Sequence, residues 1–120
     1  MRKQRAKASY CLGIESTADD FSVGVLSLEG RVLANVISVF TSEEGGIHPR
    51  EAARHHAEMA GKVIAEAFQK AGIRPSEVKA VAFSQGPGLG PCLRTGATAA
   101  RALASYLKVP LVGVCLLYTS

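Results

Sequence analysis

The chain has 120 residues, which limits it to one domain, and 48% of them are hydrophobic, enough for a packed core. Only 20% are charged, which excludes a disordered, highly charged chain. The net charge of +4 equals the charge of four N-terminal bases, Arg2, Lys3, Arg5 and Lys7, so the remainder is neutral. Such a basic arm is typical of a solvated tail, and it would also suit contact with a nucleic-acid backbone.

The number and spacing of the cysteines and the hydropathy of the chain indicate the cellular compartment of the protein. Cys11, Cys92 and Cys115 are odd in number and lack CxxC spacing, so neither a disulfide framework nor a zinc knuckle is indicated. The apolar run Tyr10–Ile14 is too short for a signal peptide, and no run approaches the roughly 20 residues that span a bilayer. We therefore expect a cytoplasmic, soluble protein without a membrane partner.

The N-terminal part of the chain predicts a three-stranded meander. Tyr10–Ile14 reads as a buried strand that ends in a polar turn, Glu15–Asp20. Strands are predicted at Phe21–Leu28 and Arg31–Phe40, joined by a tight turn in which Gly30 supplies the positive φ of a hairpin.

The rest of the chain predicts alternating helices and strands. After a loop containing Gly45-Gly46, a helix starts at His48-Pro49, because proline is well tolerated at the first helical position, and it stops at Gly72. Its apolar stripe has three-to-four spacing: Ala52, Ala53, His56, Met59, Ala60, Val63, Ile64, Ala67, Phe68 and Ala71. A strand at 78–83, a helix at about 92–108 and a strand at 111–114 follow. The β-β-β-α-β-α-β order predicts an α/β fold with a mixed sheet, antiparallel at one edge, parallel at the other and covered by helices.

A glycine loop separates the predicted fourth strand from the second helix. Gly86, Gly88 and Gly90 lie where free backbone N–H groups and the positive end of a helix would face an anion. A dinucleotide fingerprint is excluded because three strands precede the loop and no acidic residue follows Glu77. No Gly-Lys-Ser/Thr occurs, so the loop is not a P-loop. A hydrolase elbow at Ser84 would need an acid and a histidine downstream, and the sequence has neither there.

A substrate or nucleotide cleft is the remaining functional interpretation. The ends of neighbouring strands meet at one edge of a sheet, where ligands often bind. The hydroxyls of Ser16 and Thr17, the loop N–H groups and Arg94 would together suit a phosphate. The spacing alone equally allows glycines that only permit tight chain reversal and close helix–sheet packing.

The histidines indicate packing or hydrogen bonding rather than a metal site. His48 and His56 lie in or near the apolar stripe, whereas a helical zinc pair is more often separated by four residues. His55 and His56 are adjacent, so we expect their side chains to point about 100° apart on the helix and not to chelate together.

Three long motifs carry a resemblance to a known family. They are Gly13–Ala18, Glu44–His56 and Ala82–Arg94, in that order. They resemble the N-terminal portion of the universal tRNA N6-adenosine threonylcarbamoyltransferases, a family long mislabelled as O-sialoglycoprotein endopeptidases. The residues of these motifs are most similar to those of archaeal members, which are the catalytic subunits of the KEOPS complex. The resemblance covers about residues 10 to 114.

The resemblance implies a ribonuclease-H-like N-terminal lobe of the actin/Hsp70/sugar-kinase (ASKHA) fold. It implies an enzyme that transfers a threonylcarbamoyl group from threonylcarbamoyl-adenylate to N6 of adenosine 37 in ANN-decoding tRNA. Its partners would be tRNA and KEOPS subunits, including a small atypical protein kinase. The residues carried over as lining the cleft for this adenylate, or for ATP, are Glu15, Ser16, Thr17, Gly86, Gly88 and Gly90. None of them is assigned a catalytic role.

The sequence departs from the family after Val114. The family continues there with a metal-binding histidine pair, and the iron or zinc ion it helps to hold in the parent enzyme acts as a Lewis acid. This chain reads Cys115–Ser120 instead. We therefore expect a basic arm at 1–8, an incomplete lobe at 9–114, a non-native tail at 115–120, no metal ligands in this sequence, and an inactive fragment. The alternatives are an ATP-binding or assembly module and a sugar-kinase-like phosphotransferase.

Overall fold

The computed structural model describes residues 8–41 and 48–116. Within them the chain forms five strands and two helices. The elements are β1 (Tyr10–Glu15), β2 (Asp20–Ser27), β3 (Val32–Val39), α1 (Pro49–Ala71), β4 (Val78–Gly86), α2 (Gly90–Leu107) and β5 (Leu111–Cys115), with a short 3-10 turn at Pro75–Glu77 before β4.

The strands form one mixed sheet in the order β3-β2-β1-β4-β5. The meander pairs antiparallel, with Gly13 opposite Gly24 and Gly24 opposite Asn35. After α1, β4 returns beside β1 in parallel, and β5 adds in parallel beyond β4. The predicted element order and the change from antiparallel to parallel pairing are confirmed, and the carboxyl ends of β1 and β4 lie side by side.

Both helices pack on the same face of the sheet. Alternate side chains of the strands point towards them, and the buried set is Leu12, Ile14, Phe21, Val23, Val25, Ala34, Val36, Val78 and Val81. Each larger member contributes about 1.5–3 kcal/mol by leaving water. Helix α1 starts with Pro49 at its first turn and ends at Gly72, whose φ of 68° and N–H bonds to the Phe68 and Gln69 carbonyls form the predicted glycine cap.

The opposite face of the sheet is not covered by the residues that the structure describes. Its outer positions carry exposed apolar side chains, namely Leu26, Ile37, Val39, Val112 and Val114. Its centre is lined by the small residues Gly13, Gly24 and Ala82. The expectation that helices cover the sheet therefore holds for one face only in this part of the chain.

Two predicted boundaries differ from the structure. Strand β4 continues to Gly86 rather than stopping at Phe83, because its pairing with β5 extends to Gly86 opposite Cys115. The last strand, predicted to end at Val114, continues to Cys115, and the following Leu116 N–H donates to the Gly86 carbonyl at 2.6 Å. The basic residues 2–7, the loop at 42–47 and the tail residues 117–120 lie outside the described residues.

Candidate functional site

A carboxylate closes the turn that follows β1. Glu15 is half-buried, and its Oε2 accepts the Thr17 N–H at 3.0 Å and the Thr17 hydroxyl at 2.7 Å. These two bonds fix the Glu15 side chain and the Thr17 backbone relative to each other. We call residues 15–17 the Glu15 corner. It presents a fixed carboxylate at the carboxyl end of the central strand.

The middle residue of the Glu15 corner is a structural anchor. Ser16 is completely buried; its N–H donates to Ser84 Oγ at 3.2 Å and its hydroxyl donates to the Cys92 carbonyl at 3.0 Å. It thereby ties β1 to β4 and to the first turn of α2. This burial differs from the expectation that the Ser16 hydroxyl faces a phosphate, because the proton is already donated inside the protein.

The glycine loop lies directly against the Glu15 corner. The Leu89 N–H donates to the Thr17 carbonyl at 2.7 Å. A Cβ on Gly88 would stand 2.7 Å from the Thr17 oxygen and 3.0 Å from its Cα, closer than packed atoms allow. Gly88 is thus required by the approach of two backbones, whereas Gly86 has a φ of 150° that other residues rarely adopt. The two segments that the sequence predicted to cooperate are in contact.

The loop ends at the amino terminus of α2. The preceding residue, Leu89, supplies no side-chain cap to this helix end. The guanidinium of Arg94 reaches back along the helix, with Nη1 3.5 Å from where a Cβ on Gly90 would lie. The positive helix end and this cation together favour an anion beside the loop.

The Glu15 corner is the negative half of the site. Burial and the neighbouring Asp19 and Glu15 carboxylates raise the pKa of Asp20, and His56 opposes that rise. Burial, with a smaller contribution from Glu15, also raises the pKa of the Cys92 thiol. A ligand that spans the site would therefore place its anionic group towards α2 and its hydroxyl or N–H groups towards Glu15.

Two hollows lie near these segments. A shallow depression of about 240 Å³ on the uncovered face is lined by Glu15, Ser22, Ser84 and the small residues at the sheet centre, and the glycine loop is not part of its wall. A larger groove of about 510 Å³ runs between α1 and α2 and includes Arg94 and Thr95. The smaller depression lies beside the Glu15 carboxylate, whereas Arg94 faces the larger groove, so neither of these two hollows is lined by both the Glu15 corner and the glycine loop. The two segments meet instead through the direct contact between Leu89 and Thr17.

The histidine side chains confirm one expectation from the sequence and contradict another. The expectation of hydrogen bonding is confirmed: His56 is fully buried and its Nε2 lies 2.7 Å from the Ala18 carbonyl. The expected divergence of the adjacent rings is wrong, because the two Nδ1 atoms of His55 and His56 are 2.9 Å apart. The Cα–Cβ bonds of the two residues leave the helix in different directions, but rotation about the side-chain torsions brings the two rings together.

Known proteins with similar sequences show the family to which this chain belongs. The family model of TsaD, tRNA N6-adenosine threonylcarbamoyltransferase, matches residues 31–119. The chain belongs to this family. It is 56% identical over 105 residues to the tRNA N6-adenosine threonylcarbamoyltransferase of Ignicoccus hospitalis, covering 88% of this chain and 32% of that protein. It is 53% identical over 112 residues to a probable bifunctional tRNA threonylcarbamoyladenosine biosynthesis protein of Methanosarcina mazei, covering 90% and 20%.

The chain thus spans about 32% of the length of the single-function relatives it matches. Among solved structures it is similar to YeaZ from Pseudomonas aeruginosa, with a TM-score of 0.70 and 25% identity over 89% of this chain and 43% of that one. It also resembles two structures of Thermus thermophilus RuvC, with TM-scores of 0.54–0.55, 17% identity and coverage of 88–89% of this chain and 63–64% of that protein, which supports the fold alone. The ribonuclease-H-like, ASKHA-type lobe is therefore established.

The described residues do not fit the metal ion that the family resemblance implies. Within residues 8–41 and 48–116 no group of three or more histidine, cysteine, aspartate or glutamate side chains is arranged to hold an ion. The described residues therefore do not form a metal centre by themselves. In the same part of the chain, no helix is long and apolar enough to cross a membrane.

Proposed function

We propose that the protein to which this chain belongs transfers a threonylcarbamoyl group from threonylcarbamoyl-adenylate to N6 of adenosine 37 in ANN-decoding tRNA. Family membership over residues 31–119 supports the reaction. The observation that carries the site is the contact between its two halves, in which the Leu89 N–H donates to the Thr17 carbonyl at 2.7 Å. This contact brings an anion-attracting loop and a fixed carboxylate together at one sheet edge.

In this proposal the glycine loop and the amino end of α2 bind the phosphate of the adenylate through backbone N–H groups. The Glu15 carboxylate, held by Thr17, accepts a hydrogen bond from a hydroxyl or N–H group of the same ligand. Ser16 positions the corner from inside the fold. The residues described here bind and orient the adenylate, and none of them is proposed to be catalytic.

Further parts of the proposal rest on the family resemblance. The whole enzyme would use an iron or zinc ion as a Lewis acid, would work in the cytoplasm, and would bind tRNA together with KEOPS subunits that include a small atypical protein kinase. Because the chain spans about 32% of its relatives, the 120-residue piece is proposed to be inactive alone.

The test is a transfer assay with the full-length protein, threonylcarbamoyl-adenylate and an ANN-decoding tRNA, with the modified nucleoside measured by mass spectrometry. Glu15→Gln keeps the shape of the corner and removes its charge, and it is expected to lower kcat/KM at least about tenfold. Glu66→Gln, on the exposed surface of α1, is the matched control and is expected to leave the rate unchanged. Wild-type rates for Glu15→Gln, or turnover by the 120-residue piece alone, would contradict the proposal.

ATP binding without transfer is the second candidate function, favoured by the helix amino terminus beside the glycine loop. A full-length protein that binds ATP, assembles with partners and modifies no tRNA under any condition would support this assembly role instead.

A further inference from the structure

A chain of hydrogen bonds runs from β3 to the turn beside the Glu15 corner. Ser38 Oγ lies 3.1 Å from His55 Nε2, His55 Nδ1 lies 2.9 Å from His56 Nδ1, and His56 Nε2 lies 2.7 Å from the Ala18 carbonyl. We call Ser38, His55 and His56 the histidine relay. It connects the third strand, helix α1 and the β1–β2 turn, and no residue of the proposed cleft belongs to it.

The last acceptor fixes the protonation of every atom in the relay. A carbonyl oxygen only accepts, so His56 carries its proton on Nε2. In a neutral ring Nδ1 of His56 is then an acceptor, and His55 must donate from its own Nδ1. His55 Nε2 is in turn an acceptor, which the Ser38 hydroxyl satisfies by donating. All donors therefore point in one direction, from Ser38 to Ala18.

We propose that the histidine relay is a positioning device that holds the Ala18 carbonyl, and with it the Glu15 corner, against helices α1 and α2. The link to catalysis rests on the proposed transferase function; the relay itself does not. The Cys92 thiol donates to the same Ala18 oxygen at 3.3 Å, so this carbonyl is held from both helices at once. Ala18 directly follows Thr17, whose backbone contacts Gly88 and Leu89.

The relay accepts one additional proton and resists a second. A proton on His55 Nε2 leaves the bond to His56 intact, because the Ser38 hydroxyl can turn and accept. A proton on His56 Nδ1 can likewise be accommodated, because His55 can then carry its own proton on Nε2, donate it to the Ser38 hydroxyl and accept through Nδ1. A second added proton would set two N–H groups against each other across 2.9 Å. The bond to Ala18 is therefore preserved with one added proton on either ring.

Burial and charged groups around the relay act on His55. Burial, and then His56, lower the pKa of His55, and Glu58 on the same helix opposes that shift. Asp20, at the start of β2, interacts electrostatically with His56. Glu15 and the Cys92 thiol, which also interact electrostatically, lie beside the β1–β2 turn. The rings of Phe21 and Phe40 contact His56 and His55 in tilted arrangements, with centroids 5.9 and 5.6 Å away, and limit the access of water.

The first test is the ¹⁵N NMR spectrum of histidine-labelled full-length protein during a pH titration. At alkaline pH, His56 is expected to be protonated at Nε2 alone and His55 at Nδ1 alone. The Nε2 proton of His56 is expected to persist on acidification. A His56 ring that carries its proton on Nδ1 instead of Nε2 at alkaline pH would overturn the relay.

The second test separates the relay from packing. His56→Met fills the site but cannot donate to Ala18, whereas His56→Gln can donate through its side-chain amide. Faster hydrogen exchange at the amides of residues 16–19 is expected in His56→Met, and a return towards the wild-type rate in His56→Gln. Transfer activity is expected to fall about tenfold and to recover in the same order.

The outcomes distinguish the two proposals. Unchanged exchange at residues 16–19 in His56→Met overturns the relay whatever the transfer assay gives. Faster exchange in His56→Met that is rescued in His56→Gln supports the relay, whatever the transfer activity of these variants. If even the wild-type protein does not modify tRNA, the transferase function is overturned and the relay is not.

Discussion

Replacing Gly88 with alanine is the most severe single-atom perturbation of the proposed site. The new Cβ would stand 2.7 Å from the Thr17 carbonyl oxygen, 2.9 Å from the Thr17 Cβ and 3.0 Å from its Cα. Two of these three atoms are backbone, so no side-chain rotation relieves the contact. The glycine loop and the Glu15 corner must separate.

Two effects determine how much Gly88→Ala lowers the free energy of unfolding. Overpacking in a well-packed region costs about 1–3 kcal/mol. The 2.7 Å bond from the Leu89 N–H to the Thr17 carbonyl also lengthens, which costs a further 0.5–1.5 kcal/mol or so. We expect Gly88→Ala to lower the free energy of unfolding by about 2–4 kcal/mol.

Urea unfolding of the full-length protein, followed by circular dichroism, measures this change as a shift in midpoint at constant slope. Gly61→Ala is the matched control, since Gly61 lies on the exposed side of α1 and a Cβ there meets nothing within 4 Å. That control is expected to raise stability by up to about 1 kcal/mol. Gly88→Ala with wild-type stability would show that the loop does not rest on Thr17 in solution.

Four further outcomes are expected. Gly96→Ala places a Cβ 2.9 Å from the Ser16 Cβ, so it should lower unfolding stability by about 1–3 kcal/mol in urea; an unaltered midpoint would contradict this packing. Phe21→Ala, at a fully buried position, should cost about 3–5 kcal/mol, and a loss below 1 kcal/mol or so would refute its place in the core. Ile37→Lys, at a site 52% exposed on the uncovered face, should reduce light scattering by the 120-residue piece with little change in stability. Because the pKa of His55 is lowered by folding, its contribution to stability is complete above its unfolded pKa of about 6.5 and declines as pH falls below that value; His55→Asn should remove this part of the pH dependence.

The order of the elements was readable from the sequence because its signals are local. Pro49 and Gly72 mark the two ends of α1 through backbone chemistry alone, and the structure confirms both. The mixed sheet followed from strand order, since a hairpin must pair antiparallel and a strand reached through a helix can return in parallel.

The details of the site were not readable, because they depend on which segments the sheet brings together. Nothing local to Ser16 distinguishes a ligand-facing hydroxyl from one bonded to the Cys92 carbonyl 76 residues away. The meeting of His55 and His56 depends on side-chain torsions and on Ala18 as an acceptor from another element. The signal available in the sequence is the pair His55-His56 within the apolar stripe of α1, two polar rings on a helix that packs beside a polar turn.

The uncovered face illustrates a different limit. Strand periodicity identifies which residues share a face, as with Leu26, Ile37 and Val112, but it does not say what lies over them. An apolar set of this kind is typical of a surface that binds another part of a protein or a partner.

The most direct measurement of the central claim is the amide spectrum of the full-length protein during titration with ATP and then with threonylcarbamoyl-adenylate. If the Glu15 corner and the glycine loop form one adenylate site, the amides of Thr17, Gly88 and Gly90 shift together, with a single dissociation constant, while that of Glu66 on the far surface of α1 stays in place. A ligand that binds and leaves Thr17 and Gly88 unshifted, or moves them at different concentrations, would contradict the account.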